Sequence, residues 1–288
     1  MLFLLYKAGI FLAENLPPKI GYRVAEVVGS LYYLFARRDR TIVLNNLEVI
    51  SRYTGNTEKL NNVARCVFVN FARYILEFFR TPKIDLQYIR QNVKIETRDN
   101  LNQALKLGKG VLLVGAHLGN WELGATVLSL LGYKISVVAW THKNRSISNF
   151  FLQQRQSKGI GVIPLGTAIR GTQAALKENS SVALLGDVDF AQPERGVPVK
   201  LFGRETVMPK GPAVLALRTG APIVPAFVLR EKNNSFRFIL GTPMIYSPSG
   251  NWEYDSTKLT EALAKVIESY IAQDPGQWFM LTPRWSKR

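Results

Sequence analysis

The 288-residue chain holds one cysteine, Cys66, and two histidines, His117 and His142. A single thiol excludes a disulfide framework and a thiolate metal site, and in its apolar helical stretch it reads as a packed thiol. Two histidines without paired or HExxH spacing give no basis for a zinc site. Acidic residues are also scarce: 21 Asp and Glu against 37 Lys and Arg leave a formal charge of +16. Such an excess selects an anionic partner, whether nucleic acid, an acidic protein or a membrane surface. No RRM, KH, helix-turn-helix or zinc-finger pattern accompanies it, so nucleic acid is not expected. Apolar runs stop short of the ~20 residues of a spanning helix. Lys7 interrupts the stretch from Met1 to Ala13, and Arg23 and Glu26 interrupt Ile20 to Ala36. No small-residue cleavage site follows Ala13, which argues against a cleaved signal peptide.

What is present is ordinary globular material, 47% hydrophobic, enough for a substantial core. The two apolar N-terminal stretches, divided by Pro17-Pro18 and followed by Arg37-Arg38-Asp39-Arg40, read as an interfacial membrane anchor, its charges at the headgroups of an anionic membrane surface, with an exposed N-terminal helix packed on the domain as the alternative. The basic cluster then favours the cytoplasmic face. This divides the chain into a membrane-associating segment, 1–40, and a second domain, 41–288. Leu60 to Arg80 carries apolar residues at helical spacing and ends at Thr81-Pro82. The aromatic residues Phe68, Phe71, Tyr74, Phe78 and Phe79 on it suit core packing, with an acyl-chain groove as the alternative. From Val111 onward, strand-like runs at 111–114, 135–139, 161–164, 182–185, 223–229 and 236–240 alternate with helical patterns. The expected class is α/β: a largely parallel central sheet flanked by helices, preceded by the N-terminal anchoring segment.

The densest chemistry follows the first of these strands, in Gly110-Val-Leu-Leu-Val-Gly-Ala-His117-Leu-Gly-Asn-Trp-Glu122. A histidine at the carboxyl end of a parallel strand lies where open α/β sheets bind ligands. Glu122, in the first turn of the next helix, is placed to curl back toward the imidazole, orient it and stabilise its protonated form. Asn120 suits the cap of that helix. Gly119 leaves room for a substrate carbonyl or a backbone donor, and Trp121 packs beneath the site. Such a base suits removal of a proton from an attacking hydroxyl, worth roughly 10²–10⁴ in rate. No GxSxG nucleophile accompanies it and Cys66 is far away in sequence, so direct attack by the acceptor is favoured over an acyl-enzyme. His142, in a polar basic stretch, reads as a surface residue or a phosphate contact.

His117-Leu-Gly-Asn-Trp-Glu122 resembles the His-x4-Asp/Glu signature of glycerolipid acyltransferases, and its HxGNWE form resembles the lauroyl/myristoyl transferases of lipid A biosynthesis. The likeness continues through Asn149–Gly159 with Arg155, Leu184-Leu-Gly-Asp187-Val-Asp189, Val199–Gly203, Pro209–Ala213, Thr219–Pro225 and Pro275–Trp285. Met280, Thr282 and Pro283 depart from the family's ending, which bears on the acceptor and leaves the dyad untouched. The resemblance implies a glycerolipid acyltransferase-like fold, with His117 as general base and Glu122 as its partner. It implies no cofactor. The donor would be an acyl thioester on acyl carrier protein or coenzyme A, and the acceptor a hydroxyl of a lipid A precursor or similar glycolipid. The place would be the cytoplasmic face of the bacterial inner membrane. Arg155 and Asp187 carry over as substrate-site residues with Asn120 and Gly119, although on residues alone Arg155 fits a solvated helix charge and Asp187 a strand cap. A phosphatidylinositol mannoside is the alternative acceptor. A basic peripheral membrane protein without catalysis is the alternative of another class.

Overall fold

The computed structural model describes residues 2–55, 58–141, 144–188 and 196–285, with side chains from residue 9 onward. His142 and Asp189 lie outside the described residues. The chain opens on α1 (Leu2–Asn15), α2 (Pro18–Phe35), α3 (Arg37–Thr54) and α4 (Leu60–Phe79), then α5 (Leu86–Asn92), β1 (Val93–Glu96) and α6 (Arg98–Leu105). Strands and helices then alternate through β2 (Val111–Gly115), α7 (Trp121–Leu130), β3 (Ile135–Ala139), α8 (Arg145–Gln156), β4 (Gly161–Pro164), α9 (Ala168–Lys177) and β5 (Ser181–Leu185). The hairpin β6 (Val197–Leu201) and β7 (Arg204–Met208) precedes α10 (Gly211–Thr219), β8 (Ile223–Arg230), β9 (Phe236–Leu240) and α11 (Trp252–Gln273).

Seven strands form one sheet in the order β1-β9-β8-β2-β5-β3-β4. Every pairing is parallel except β8 with β9, so the sheet is mixed and mostly parallel. β2 is central and buried along its whole length. Leu112 and Val114 pack on the face covered by α4, α10 and α11, while Val111 and Leu113 pack with Leu123, Val127 and Leu128 of α7. Burial on both faces is why its sequence is a continuous apolar run rather than an alternation.

The N-terminal membrane anchor is corrected by this structure. Among the described residues, no helix is long and apolar enough to cross a membrane. Instead α2 lays one face on α4, using the small residues Gly21, Ala25 and Gly29, all buried. A Cβ on Gly29 would stand 2.6 Å from the Val69 Cα, so the two backbones meet at a distance only glycine permits. Tyr22 donates to Glu77 at 2.8 Å and the Tyr32 ring meets Phe68 edge-on, fastening the same pair. A tally of apolar residues does not register a packing face built from glycine and alanine, and that is why the segment resembled an anchor. Cys66 also differs from expectation: it lies on the exposed side of α4, off the face that buries Val63, Val67 and Phe68.

Candidate active site

Parallel pairing builds the site. β2 and β5 run in register with Gly115 opposite Leu185, so two further residues on each strand bring His117 beside Asp187. The Asp187 Oδ1 lies 2.9 Å from His117 Nδ1, and the His117 backbone N–H donates to Oδ2 at 2.9 Å. Trp278 donates its indole N–H to the same Oδ2 at 3.1 Å. Asp187 is fully buried. Burial pushes its carboxyl up, but attraction to the imidazole and hydrogen bonds from His117 and Trp278 outweigh that and hold the pKa below the ordinary carboxylate value. A buried carboxylate at Nδ1 fixes the tautomer and leaves Nε2 as the proton acceptor.

Glu122 is engaged elsewhere. Both of its oxygens accept from Arg155, at 3.1 Å from Nε and 2.6 Å from Nη2. The two side chains come from the first turn of α7 and the last turn of α8, and both are mostly buried. Burial lowers the Arg155 pKa, but the Glu122 carboxylate more than reverses this, so the guanidinium stays charged. The structure thus brings four expected residues together as two pairs, His117 with Asp187 and Glu122 with Arg155.

Asn120 and Gly119 shape the turn between them. The Asn120 Oδ1 caps α7 by accepting from the Leu123 N–H at 3.0 Å, and its amide donates to Glu77 at 2.7 Å. Gly119 has φ +65°, and a Cβ there would fall 1.9 Å from the Val228 carbonyl oxygen. Its N–H donates to the Gln277 carbonyl at 3.0 Å. Both residues therefore hold the turn rather than line the space before the imidazole.

Sequence reasoning missed Glu77, Arg230 and the role of Trp278. Arg230 meets Glu77 at 2.6 Å in a buried ion pair that also holds Asn120 and Tyr22. These residues are scattered from α2 to β8, and no spacing signals them. Trp278 belongs to a C-terminal strap running along the site: Leu118 and Trp278 form an antiparallel bridge, and the Phe279 N–H donates to the His117 carbonyl at 2.8 Å.

A cavity of about 300 Å³ opens beside the dyad. His117, Trp121, Glu122 and Arg155 stand at its polar end, and it continues between α7 and the sheet to Leu128 and Ile135. β3, which forms one wall, spans about 13 Å at a rise near 3.3 Å per residue. Its remaining walls are aliphatic and aromatic, Tyr74 among them. Phe68 and Phe78 are buried core, as the packing reading of that row expected.

Trp278 is a positioning residue for Asp187. Because its N–H stabilises the ionised carboxylate, its contribution is present above the unfolded carboxylate pKa and lost as pH falls through the lowered folded value. Trp278→Phe is expected to lower stability at pH 7 by about 1.5–3 kcal/mol. In urea melts, the difference from wild type shrinks on acidification through the Asp187 titration. A difference independent of pH would mean that Trp278 acts only by packing.

A model of the bacterial lipid A biosynthesis acyltransferase family matches residues 1–287. The phosphatidylinositol mannoside acyltransferase of Mycolicibacterium smegmatis is 32% identical over 229 residues, 78% of this chain and 73% of that protein. The protein of the same name from Mycobacterium tuberculosis is 33% identical over 223 residues, 75% of this chain and 68% of that one. The lipid A biosynthesis lauroyltransferase of Escherichia coli is 26% identical over 295 aligned positions, 97% of this chain and 89% of that protein. With the His-x4-Glu turn at the mouth of the cavity and a match along almost its whole length, the chain belongs to the bacterial lipid A biosynthesis acyltransferase family and is an acyltransferase.

Proposed function

We propose that this enzyme transfers a fatty acyl chain from an acyl thioester, carried on acyl carrier protein or coenzyme A, to a hydroxyl of a phosphatidylinositol mannoside-type glycolipid. The chemistry rests on one observation: His117, held by buried Asp187, stands at the polar end of an otherwise apolar cavity. The acyl chain enters between α7 and the sheet, which places its thioester carbonyl near the imidazole. His117 Nε2 removes the proton as the acceptor oxygen bonds to the carbonyl carbon. The tetrahedral intermediate then collapses, the C–S bond breaks, and the imidazolium returns its proton to the departing thiolate. Glu122 and Arg155 fix α7 to α8 and present a charged pair at the mouth of the cavity.

The acceptor assignment is supported by relatives at 32–33% identity named for phosphatidylinositol mannosides, against 22–26% for those named for lipid A. A lipid A precursor is the second reading, favoured by the family model. Contact with lipid is peripheral in this account, on the cytoplasmic face of the inner membrane. It is supported by the +16 charge and by the family match. An acceptor panel with mass spectrometry decides between the two glycolipids. Gain of one acyl mass on the mannoside is expected; gain on the lipid A precursor alone would overturn the assignment.

A further inference from the structure

A second cavity, of about 760 Å³, lies away from the acyl cavity, between α3, the start of β7 and the C-terminal strap. Arg38, Thr41, Asn45, Arg204 and the Trp285 ring are in its walls. Its charge is unbalanced. Among the described residues neither Arg38 nor Arg204 takes part in an ion pair, and the one acid in the lining, Glu48, is paired with Arg52. The basic cluster around Arg38 is otherwise occupied: Arg40 donates to the carbonyls ending α2, and Asp39 accepts from Tyr32.

The strap beside this cleft carries buried donors that no described residue accepts from. Trp285 is only 9% exposed, and among the described residues its indole N–H has no hydrogen-bond partner. Among the described residues the neighbouring Arg284 Nε is buried and likewise unsatisfied, and burial lowers the Arg284 pKa against the attraction of Asp187. The walls are also fixed. Asn46 donates to the carbonyls of Met280 and Thr282 and accepts from the Arg284 N–H, while Thr206 donates to the Arg284 carbonyl. Cleft and dyad share this strap, since the Trp285 ring meets Trp278 edge-on at 6.3 Å and Trp278 donates to Asp187.

We infer that this cleft binds the phosphorylated sugar or polyol headgroup of the acceptor. A guanidinium group suits the oxygens of a phosphate, and the lining holds two, Arg38 and Arg204. Thr41, Asn45 and the Trp285 ring supply hydroxyl, amide and aromatic contacts for the attached ring. The inference rests on the glycolipid reading above and adds which part of the acceptor is recognised, and where.

The test uses the full chain and two readouts. By calorimetry, inositol 1-phosphate binds the wild type, whereas inositol and inorganic phosphate bind at least about tenfold more weakly; R38Q/R204Q loses the phosphate ester by at least that factor. R38K/R204K, which keeps the charge, retains part of the binding. In steady-state assays, R38Q/R204Q raises the KM for glycolipid about tenfold and leaves the KM for acyl thioester at the wild-type value. Unchanged binding overturns the inference, as does a rise in the donor KM alone, which would assign the cleft to a donor phosphate. Equal affinity for inorganic phosphate would make it a simple anion site and also overturn it. The binding readout needs no turnover, so loss of the glycolipid reading and loss of the cleft are separately visible.

Discussion

Asp187→Asn lowers kcat for acyl transfer by about 10²–10⁴, the range lost when a general base is misoriented. Asn fits the same space, so the effect is chemical. Its amide can donate to His117 Nδ1, where the aspartate accepts at 2.9 Å. That reversal favours the tautomer protonated at Nε2, which cannot take a proton from the acceptor hydroxyl. Donor binding should hold, because Asp187 is fully buried behind the imidazole and outside the cavity lining. Glu122→Gln is the contrasting case. It leaves Arg155 charged and buried without a carboxylate, and removing one member of such a pair costs about 3–5 kcal/mol of stability. Denaturation and rate measurements on both variants separate the roles. If Glu122→Gln lost rate at full stability while Asp187→Asn stayed active, the two carboxylates would have to exchange roles.

Gly119→Ala is expected to destabilise the fold by about 3–5 kcal/mol, among the larger single-residue effects. Two costs combine. The positive φ of +65° is strained for any residue with a Cβ, and that Cβ would lie 1.9 Å from the Val228 carbonyl oxygen. The clash is with backbone, so no rotamer relieves it. The turn must retreat from β8, and the Asn120 N–H bond to Val228 at 2.8 Å lengthens with it. His117 and Glu122 flank this turn, so transfer falls together with the urea midpoint. Near-wild-type values for both would contradict the geometry of the turn.

The alternating half of the chain was legible because strand and helix periods differ. β3, β4 and β9 fall on the residues their apolar runs mark. Other elements leave weaker traces. β1 follows α5 with no residue between them, and the β6–β7 hairpin turns through Phe202 and Gly203, both at positive φ. A phenylalanine in that turn conceals the signal that Asn or Gly would give. Direction is also silent: nothing in Phe236–Leu240 says that β9 runs against β8 while β1 runs along it. At the site, His117 was readable because it ends a strand, and Glu122 drew attention as its near neighbour in sequence. The true neighbour of Nδ1 is 70 residues away and arrives through β2–β5 register, which single-sequence spacing does not encode. The Glu77–Arg230 pair, 153 residues apart, left no sequence trace.

The central claim is that His117 is the base for acyl transfer to a glycolipid hydroxyl. Single-turnover mass spectrometry tests it, with wild type and His117→Ala incubated with a mixed acyl-thioester pool and the mannoside acceptor. Wild type should add one acyl mass to the acceptor; His117→Ala, still folded by its cooperative urea transition, should add none. Undiminished acyl gain from the folded His117→Ala variant would contradict the account.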